Sequence, residues 1–587
     1  MRLHKILLSM LVLVVVIPAC DLLEPETIIN DDLQMVKEDP QLAEGLLQRA
    51  YTQIPTNDYR WDEVATDDAV SNDQFNSYMR MATGEWTALY NPQNIWNNSN
   101  MAIQYVNQFL EIVDEVPFKW TNEQQNDLFV KRLTGEAYLM RGLHKYFLLR
   151  NHGGVGSGGE LLGTPIYNEF MDADSDFSKA RAGFTESVNS AYDDLDTALD
   201  LLPMDYGDIS SLDDLPPGYE DVDNLDDYNQ VLGDFMQQKA SGRIAKAFKA
   251  RLALLAASPA FNPSNDLGLW ETAAEYTAEL LDDIGGVGGM DPNGHIFYHG
   301  DQVNDADITS GNGEDIAEML WRRPIYSNRS REENNYPPSL FGNGRINPTQ
   351  NLVDAFPMAN GYPITDPDSD FDPNDPYADR DPRLSLYIVY DGTTMRGETI
   401  NTGTGGGDNA VDAMQYSTRT GYYMKKLLRE DVNANPNSAS NQRHFNTHVR
   451  YTELFLNYAE AANEAYGPNG SGVNAYSATD VIAALRERAG IEQPDDYLAT
   501  VTDIDSMREL IRNERRLELS FESFRFWDLR RWKEDLTEPA RGVQIDNGNY
   551  TYFNVEDRAY NNSFMHYGPL PGNEVVRFGL VQNDGWN

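Results

Sequence analysis

The sequence predicts a mainly α-helical fold, a scaffold of tetratricopeptide-like helix pairs carrying an irregular, loop-rich lobe with short strands. Three observations carry that prediction. Apolar residues recur at helical spacing along most of the chain. The helical segments fall in pairs separated by turns that hold Gly or Pro, as at Gly153-Gly154, Pro203 and Pro259. Between residues 283 and 448 the periodicity vanishes, and Gly, Pro, Asn and Asp crowd together.

The chain opens with Arg2, His4 and Lys5, an apolar run over residues 6–17, and Pro18-Ala19-Cys20. A charged start, a short apolar stretch and a small residue before the cut make residues 1–19 a secretory signal peptide, too short to span a bilayer. Cys20 is the only cysteine in the chain. Its position just after the cut resembles the lipobox of bacterial lipoproteins, where the thiol is acylated, although Pro18 departs from the usual small residue there. Residues 20–40 then form a polar, lipid-anchored leader, and no pair of thiols exists for a disulfide.

The scaffold begins at residue 41. Helices are predicted over residues 41–54, 95–113, 127–150, 185–202, 239–257 and 269–281, closing a first block at residue 282. Small residues inside the fifth of these (Ala245, Ala247, Ala250, Ala253, Ala256 and Ala257) let neighbouring helices approach closely. The lobe, residues 283–448, shows strand-like runs at 319–321, 386–389 and 422–427. A loop-rich insertion this long on a rigid scaffold commonly bears function. Helices return over residues 451–466, 478–489 and 505–521, within a C-terminal block of residues 449–587.

A formal net charge of −47 argues against nucleic acid as a partner, since phosphates need a basic face. No segment after the leader is apolar enough to cross a bilayer, which leaves lipid as the anchor. Against this acidic background, residues 507–532 stand out. Arg508, Arg512, Arg515, Arg516, Arg525, Arg530 and Arg531 alternate with Glu509, Glu514, Glu518, Glu522 and Asp528, interleaved with Phe521, Phe524, Phe526, Trp527 and Trp532. Guanidinium forks bind carboxylates bidentately and stack on rings, so this stretch reads as a half-buried ionic lattice locking several elements together.

RNERRLELSFESFRFWDLRRW at 512–532 resembles the C-terminal signature of the SusD/RagB family of surface glycan-binding lipoproteins. Further stretches match the same pattern in the same order: GEAYLMRGLHKYFLLRNHGGV at 135–155, LAASPAFNP at 255–263, NPTQNLVDAF at 347–356, DPNDPYADRDPRL at 372–384, RYTELFLNYAEAANEAYG at 450–467, ALRERAGI at 484–491, and the closing MHYGPLPGNEV and NDGW. The resemblance covers nearly the whole chain after the leader. It implies a non-catalytic protein of the outer-membrane surface that captures oligosaccharide or, in some branches, peptide. It further implies a SusC-like TonB-dependent transporter as partner. The shared motifs are scaffold, so no binding residue transfers from them.

Other motifs are weaker. GVGSGG at 154–159 has dinucleotide-loop spacing but follows a helix instead of a strand, and reads as a turn. His444 and His448 could share a metal only if helical, and Asn446 between them disfavours a helix. Asp366, Asp368, Asp370 and Asp372 alternate as in a calcium loop, but Phe371 stands where glycine is needed and Tyr377 where the bidentate glutamate is needed. The segment reads as an acidic turn, and a structural Ca²⁺ is the only cofactor left open. Among 93 Asp and Glu residues, a pair spaced for glycoside hydrolysis arises by chance, so a secreted hydrolase remains a rival without a specific signal.

Sugar binding needs exposed rings for the apolar faces of pyranoses, with polar side chains for the hydroxyls. Trp96, Trp270, Trp527, Trp532 and Trp586 lie in helical or signature segments and are expected in the core. The loop rings Phe75, Tyr78 and Trp86, and Tyr298, Trp321, Tyr326 and Tyr336 in the lobe, are the binding candidates, with Arg323 beside them. Arg322, Arg323, Arg329 and Arg331 crowd one loop, which would suit an anionic glycan such as a uronate or sulfated polymer; solvated arginines balancing Glu332 and Glu333 are the plainer alternative.

Overall fold

The computed structural model describes residues 33–306, apart from 119, 121 and 173, and residues 315–586. The signal peptide and Cys20 lie outside the described residues. The fold is mainly helical, as predicted. Its scaffold helices are α1 (Pro40–Thr52), α2 (Trp96–Ile112), α3 (Glu123–His152), α4 (Phe184–Leu201), α5 (Gly242–Ala257), α6 (Leu267–Asp282), α7 (Tyr451–Tyr466), α8 (Ala478–Ala489), α9 (Ile504–Glu518) and α10 (Arg525–Arg531).

Local chemistry sets the ends of these helices. Asp39 caps α1 through the Gln41 amide with Pro40 at the first position. Asn122 caps α3 through the Gln125 amide at 2.9 Å. Ser477 and Asp480 form a reciprocal capping box on α8, which ends at Gly490 in the left-handed region (φ 91°). From α1 to α6 each helix packs on the next, the quasi-linear order of a helical solenoid. Close approach is built in: a Cβ on Gly142 of α3 would meet Leu195 of α4 at 2.8 Å. The alanines of α5 are buried, as the small-residue pattern predicts.

The helix that packs on α6 from the other side is α7, although the two are separated by the whole lobe. The chain therefore leaves the stack, builds the lobe, and returns beside its point of departure. The lobe and the segments that reach it pair in two-stranded units. Strand β1 (Ala69–Ser71) pairs with β4 (Ile346–Pro348), β2 (Met319–Arg322) with β6 (Thr447–Arg450), and β3 (Tyr326–Asn328) with β5 (Gln442–His444), all antiparallel. A hairpin of β7 (Ala540–Asp546) and β8 (Asn549–Glu556) turns at Asn547-Gly548, both at positive φ.

Three expectations are corrected here. The last long helix stops at Glu518, and Phe521 sits at φ 64°, outside it. The strand expected over 386–389 is reduced to Ile388–Val389, because the preceding residues close a helix at Pro382–Tyr387, and the run at 422–427 is reduced to Tyr423–Met424. The lobe also holds helices at Gly300–Asp305, Ser330–Asn335, Gln350–Ala355 and Pro382–Tyr387. At under two turns each, they are too short for an apolar stripe to show a period.

The scaffold and most of the lobe pack in two different cores, with Leu320 and Trp321 of β2 joining the scaffold's, and α9 belongs to both. Met507, Leu510 and Ile511 pack in the scaffold core, whereas Leu517 near the end of the helix, and Phe521 just beyond it, pack in the lobe core. Among the described residues no helix is long and apolar enough to cross a membrane.

Candidate functional site

Two polar regions join lobe to scaffold. The first is the lattice around α9. Glu514, Glu518 and Glu522 are spaced one helical turn apart and face cations from elsewhere in the chain. Arg383 reaches Asp381 at 2.6 Å, Glu514 at 2.9 Å and Glu518 at 3.0 Å, and its side chain is 0% exposed. Arg450 binds Glu318 at 2.7 Å and Glu522 at 2.8 Å, and Lys426 binds Glu522 at 2.6 Å. Further along, Arg516 and Arg525 hold Asp67, and Arg531 holds Asp528 and Glu460. Burial by itself would raise the Glu518 carboxyl; Arg488, Arg383 and Arg450 outweigh it and hold the group at about 2. These carboxylates are committed to structure, as the alternating sequence implied. A cavity of about 90 Å³ beside the lattice is well below the ~300–1,000 Å³ of ordinary ligand pockets.

The second region is a groove of about 910 Å³, within that range. One wall is the end of α1 and the loop after it, with Tyr51, Asn57 and Asp58. Another is the segment leading into α5, with Phe235, Gln237, Gln238 and Lys239. The lobe supplies the rest from β2, β3 and β5, with Trp321, Arg323, Tyr326 and Arg443.

Gln238 organises the junction. It adopts a left-handed backbone (φ 69°); its carbonyl accepts the Trp321 indole N–H at 3.0 Å, and its side-chain oxygen accepts the Arg322 amide at 2.7 Å. Its amide nitrogen donates to Asp315 at 2.8 Å, which also pairs with Arg322 at 2.9 Å. Asn446 ties the lobe to the first wall by donating to the Asn57 carbonyl at 2.6 Å, and it accepts from the Tyr326 hydroxyl at 3.2 Å. Trp321 lies 4.3 Å from the His448 ring, and His448 meets Thr56 at 2.7 Å. Burial, followed by the fields of Arg251 and Arg323, lowers His448 to about 3, so this floor is neutral at ordinary pH.

Trp321, Arg323 and Tyr326 are thus brought together. Trp321 is only 2% exposed and serves as floor, whereas Tyr326 is half-buried. Three other candidates are core residues. Trp86 packs on Trp586 at 4.6 Å and on Phe526 at 5.8 Å, and its indole donates to Asn91. Tyr336 is fully buried with its hydroxyl on the Arg429 carbonyl, and Tyr298 is buried against Phe297. In each case a large apolar ring is better covered than wet, whichever loop carries it. Phe75 is exposed but lies outside the groove lining, and Tyr78 is half-buried against the lobe core. Trp96, Trp270, Trp527, Trp532 and Trp586 are buried, as expected.

The four-arginine cluster is dispersed. Arg322 lines the groove but is buried on Asp315, Arg329 pairs with Glu333, and Arg331 donates to the Leu427 and Phe445 carbonyls and to Asn446; Arg323 is the one of the four that lines the groove half-exposed. Sequence reasoning missed Phe235, Gln237, Gln238 and Lys239, whose signal was an amide-rich stretch just before a helix. It also missed Arg443, across the sheet from Ser327.

GVGSGG forms the tight hairpin between Gly154–Val155 and Leu161–Leu162. His444 and His448 lie on β5 and β6; His444 binds Glu332 at 2.9 Å and His448 binds Thr56, so they share no ligand. Asp366 caps its own turn through the Asp368 amide, while Asp368 and Asp370 point to solvent. Among the described residues no group of three or more His, Cys, Asp or Glu is placed to hold a metal ion.

With this geometry in place, comparison with known proteins is informative. A family model described as the SusD family matches residues 309–586, and one described as starch-binding associating with outer membrane matches residues 23–212. Among solved structures, a SusD-like protein from Bacteroides fragilis is 23% identical over 95% of this chain and 99% of that one, with a TM-score of 0.70. A SusD-like carbohydrate binding protein from the same species is 19% identical over 92% and 98%, with a TM-score of 0.66. A surface glycan-binding protein A from Bacteroides fluxus is 16% identical over 93% and 100%, with a TM-score of 0.53. At these identities the likeness is one of fold. No curated protein matches the sequence.

Proposed function

The chain belongs to the SusD/RagB family, and from that premise we propose that it captures oligosaccharide or polysaccharide at the outer-membrane surface without cleaving it. The observation that carries this reading is the groove at the junction of scaffold and lobe. It combines half-buried rings with a lining rich in amides, the mixture that suits pyranose faces and their hydroxyls. Phe235, 57% exposed at the rim, offers the ring face that Trp321 does not. Much of the contact is expected through water, giving modest affinity.

Among the described residues Asp58 is the single carboxylate of the lining, and glycoside hydrolysis ordinarily needs two, so the groove favours holding over cutting. In this reading acylation of Cys20 tethers the protein, and the captured glycan passes to a SusC-like TonB-dependent transporter. Affinity electrophoresis through gels containing single polysaccharides tests it. Retardation by at least one glycan, reduced in Phe235→Ala, is expected. Retardation by none, or the appearance of new reducing ends during incubation, would overturn it.

A further inference from the structure

The charge of the groove runs opposite to that of the chain. The protein has 93 acidic and 46 basic side chains, yet among the described residues the groove lining holds Lys239, Arg322, Arg323 and Arg443 against Asp58 alone. Arg322 is already neutralised by Asp315. The other three cations differ from it. Lys239 lies 5.2 Å from the centre of the Tyr51 ring and forms no ion pair among the described residues, although its charge reaches the Glu44 carboxyl. Arg443 donates to the carbonyls of Asn304 and Ala306, each at 2.7 Å, which fixes the direction of its guanidinium without cancelling its charge. Arg323 pairs with Asp58 at 2.8 Å, but the Asp58 side chain is 81% exposed, and an ion pair this wet exchanges readily for another anion.

Resting on the carbohydrate-binding reading above, we infer that the groove selects anionic glycans, with Arg323, Lys239 and Arg443 receiving carboxylate or sulfate groups. A low-dielectric cleft focuses such a field, and guanidinium forks match both oxyanions. The acidic body gives this arrangement a purpose. A polyanion is repelled by the chain as a whole, and a positive groove counters that repulsion within about 8 Å, the screening length at physiological salt. Long-range repulsion and short-range attraction respond to salt in opposite senses, so a salt slope alone does not decide the matter.

The decisive experiment compares polymers that differ in charge. The full chain is run by affinity electrophoresis against alginate, pectate and chondroitin sulfate, and against starch, xylan and mannan. The best anionic polymer is then repeated after chemical reduction of its carboxyls or removal of its sulfates. Retardation by an anionic polymer, lost on neutralising that polymer, is expected. By calorimetry, Lys239→Gln and Arg443→Gln should each weaken binding about two- to fivefold. Among the described residues Lys239 makes no side-chain hydrogen bond, only its ring contact with Tyr51, so that variant keeps the test valid if Arg443→Gln disturbs the fold. Binding of neutral polymers only, or equal binding after neutralisation, overturns the inference and leaves the proposed function standing. Retardation by no polymer overturns both.

Discussion

The lattice around α9 and the groove use the same side chains for opposite ends. Arg383 and Arg323 are both lobe arginines within reach of acidic partners, yet Arg383 is sealed among three carboxylates while Arg323 leans on one that is almost wholly in water. Burial converts the first into a fastener, because an unpaired charge there has nowhere to go. Exposure leaves the second free to trade partners. An arginine-rich segment therefore does not announce its role. The number of carboxylates that are buried with it does.

The comparison breaks or sharpens at four points, taken from the largest effect. Arg383→Ala strips Asp381 of its ion-pair partner and leaves Glu514 to Arg486 and Glu518 to Arg488, and it should lower stability by about 3–5 kcal/mol in denaturant unfolding. A loss under about 1 kcal/mol would mean that the lattice is ornamental. Acid should act on the same cluster. Glu518 has a folded pKa of about 2, below its unfolded value near 4.5, so the native state binds fewer protons between those limits. Its contribution is complete above pH 4.5 and fades as pH falls toward 2, amounting to about 3 kcal/mol. The slope of stability against pH over that window should be shallower in Glu518→Gln, and an unchanged slope would remove Glu518 as the titrating group.

The groove should respond in the contrary way. Phe235→Ala should leave the melting temperature nearly unchanged, since the ring is largely in water, while weakening glycan binding by the ~0.5–1.5 kcal/mol of a ring contact, about two- to tenfold. Calorimetry beside a thermal melt separates the two. Smallest of all, Arg323→Gln should change stability by less than about 0.5 kcal/mol. A larger loss would move Arg323 from the groove to the lattice.

The scaffold was legible because α7 and α8 present enough turns for an apolar face to repeat, and both end where the sequence indicates. The lattice was legible because its charges alternate within one stretch. The groove was not, because its walls come from residues near 51, 238, 323 and 443, which share no local pattern. Loop rings misled for a related reason. Trp86 and Phe235 both sit between helices, and only their neighbours in space decide that Trp86 is swallowed and Phe235 is not. One local signal went unused: Asn547-Gly548 between alternating residues announces the hairpin of β7 and β8.

The dual membership of α9 bears on how such a protein can let go. A helix rooted in both cores works against a hinge between them, so the walls of the groove are expected to hold their spacing around a long polymer. A hollow of that kind acts as a fixed mould, from which cargo would leave by sliding out or by a swing of the whole body as one piece.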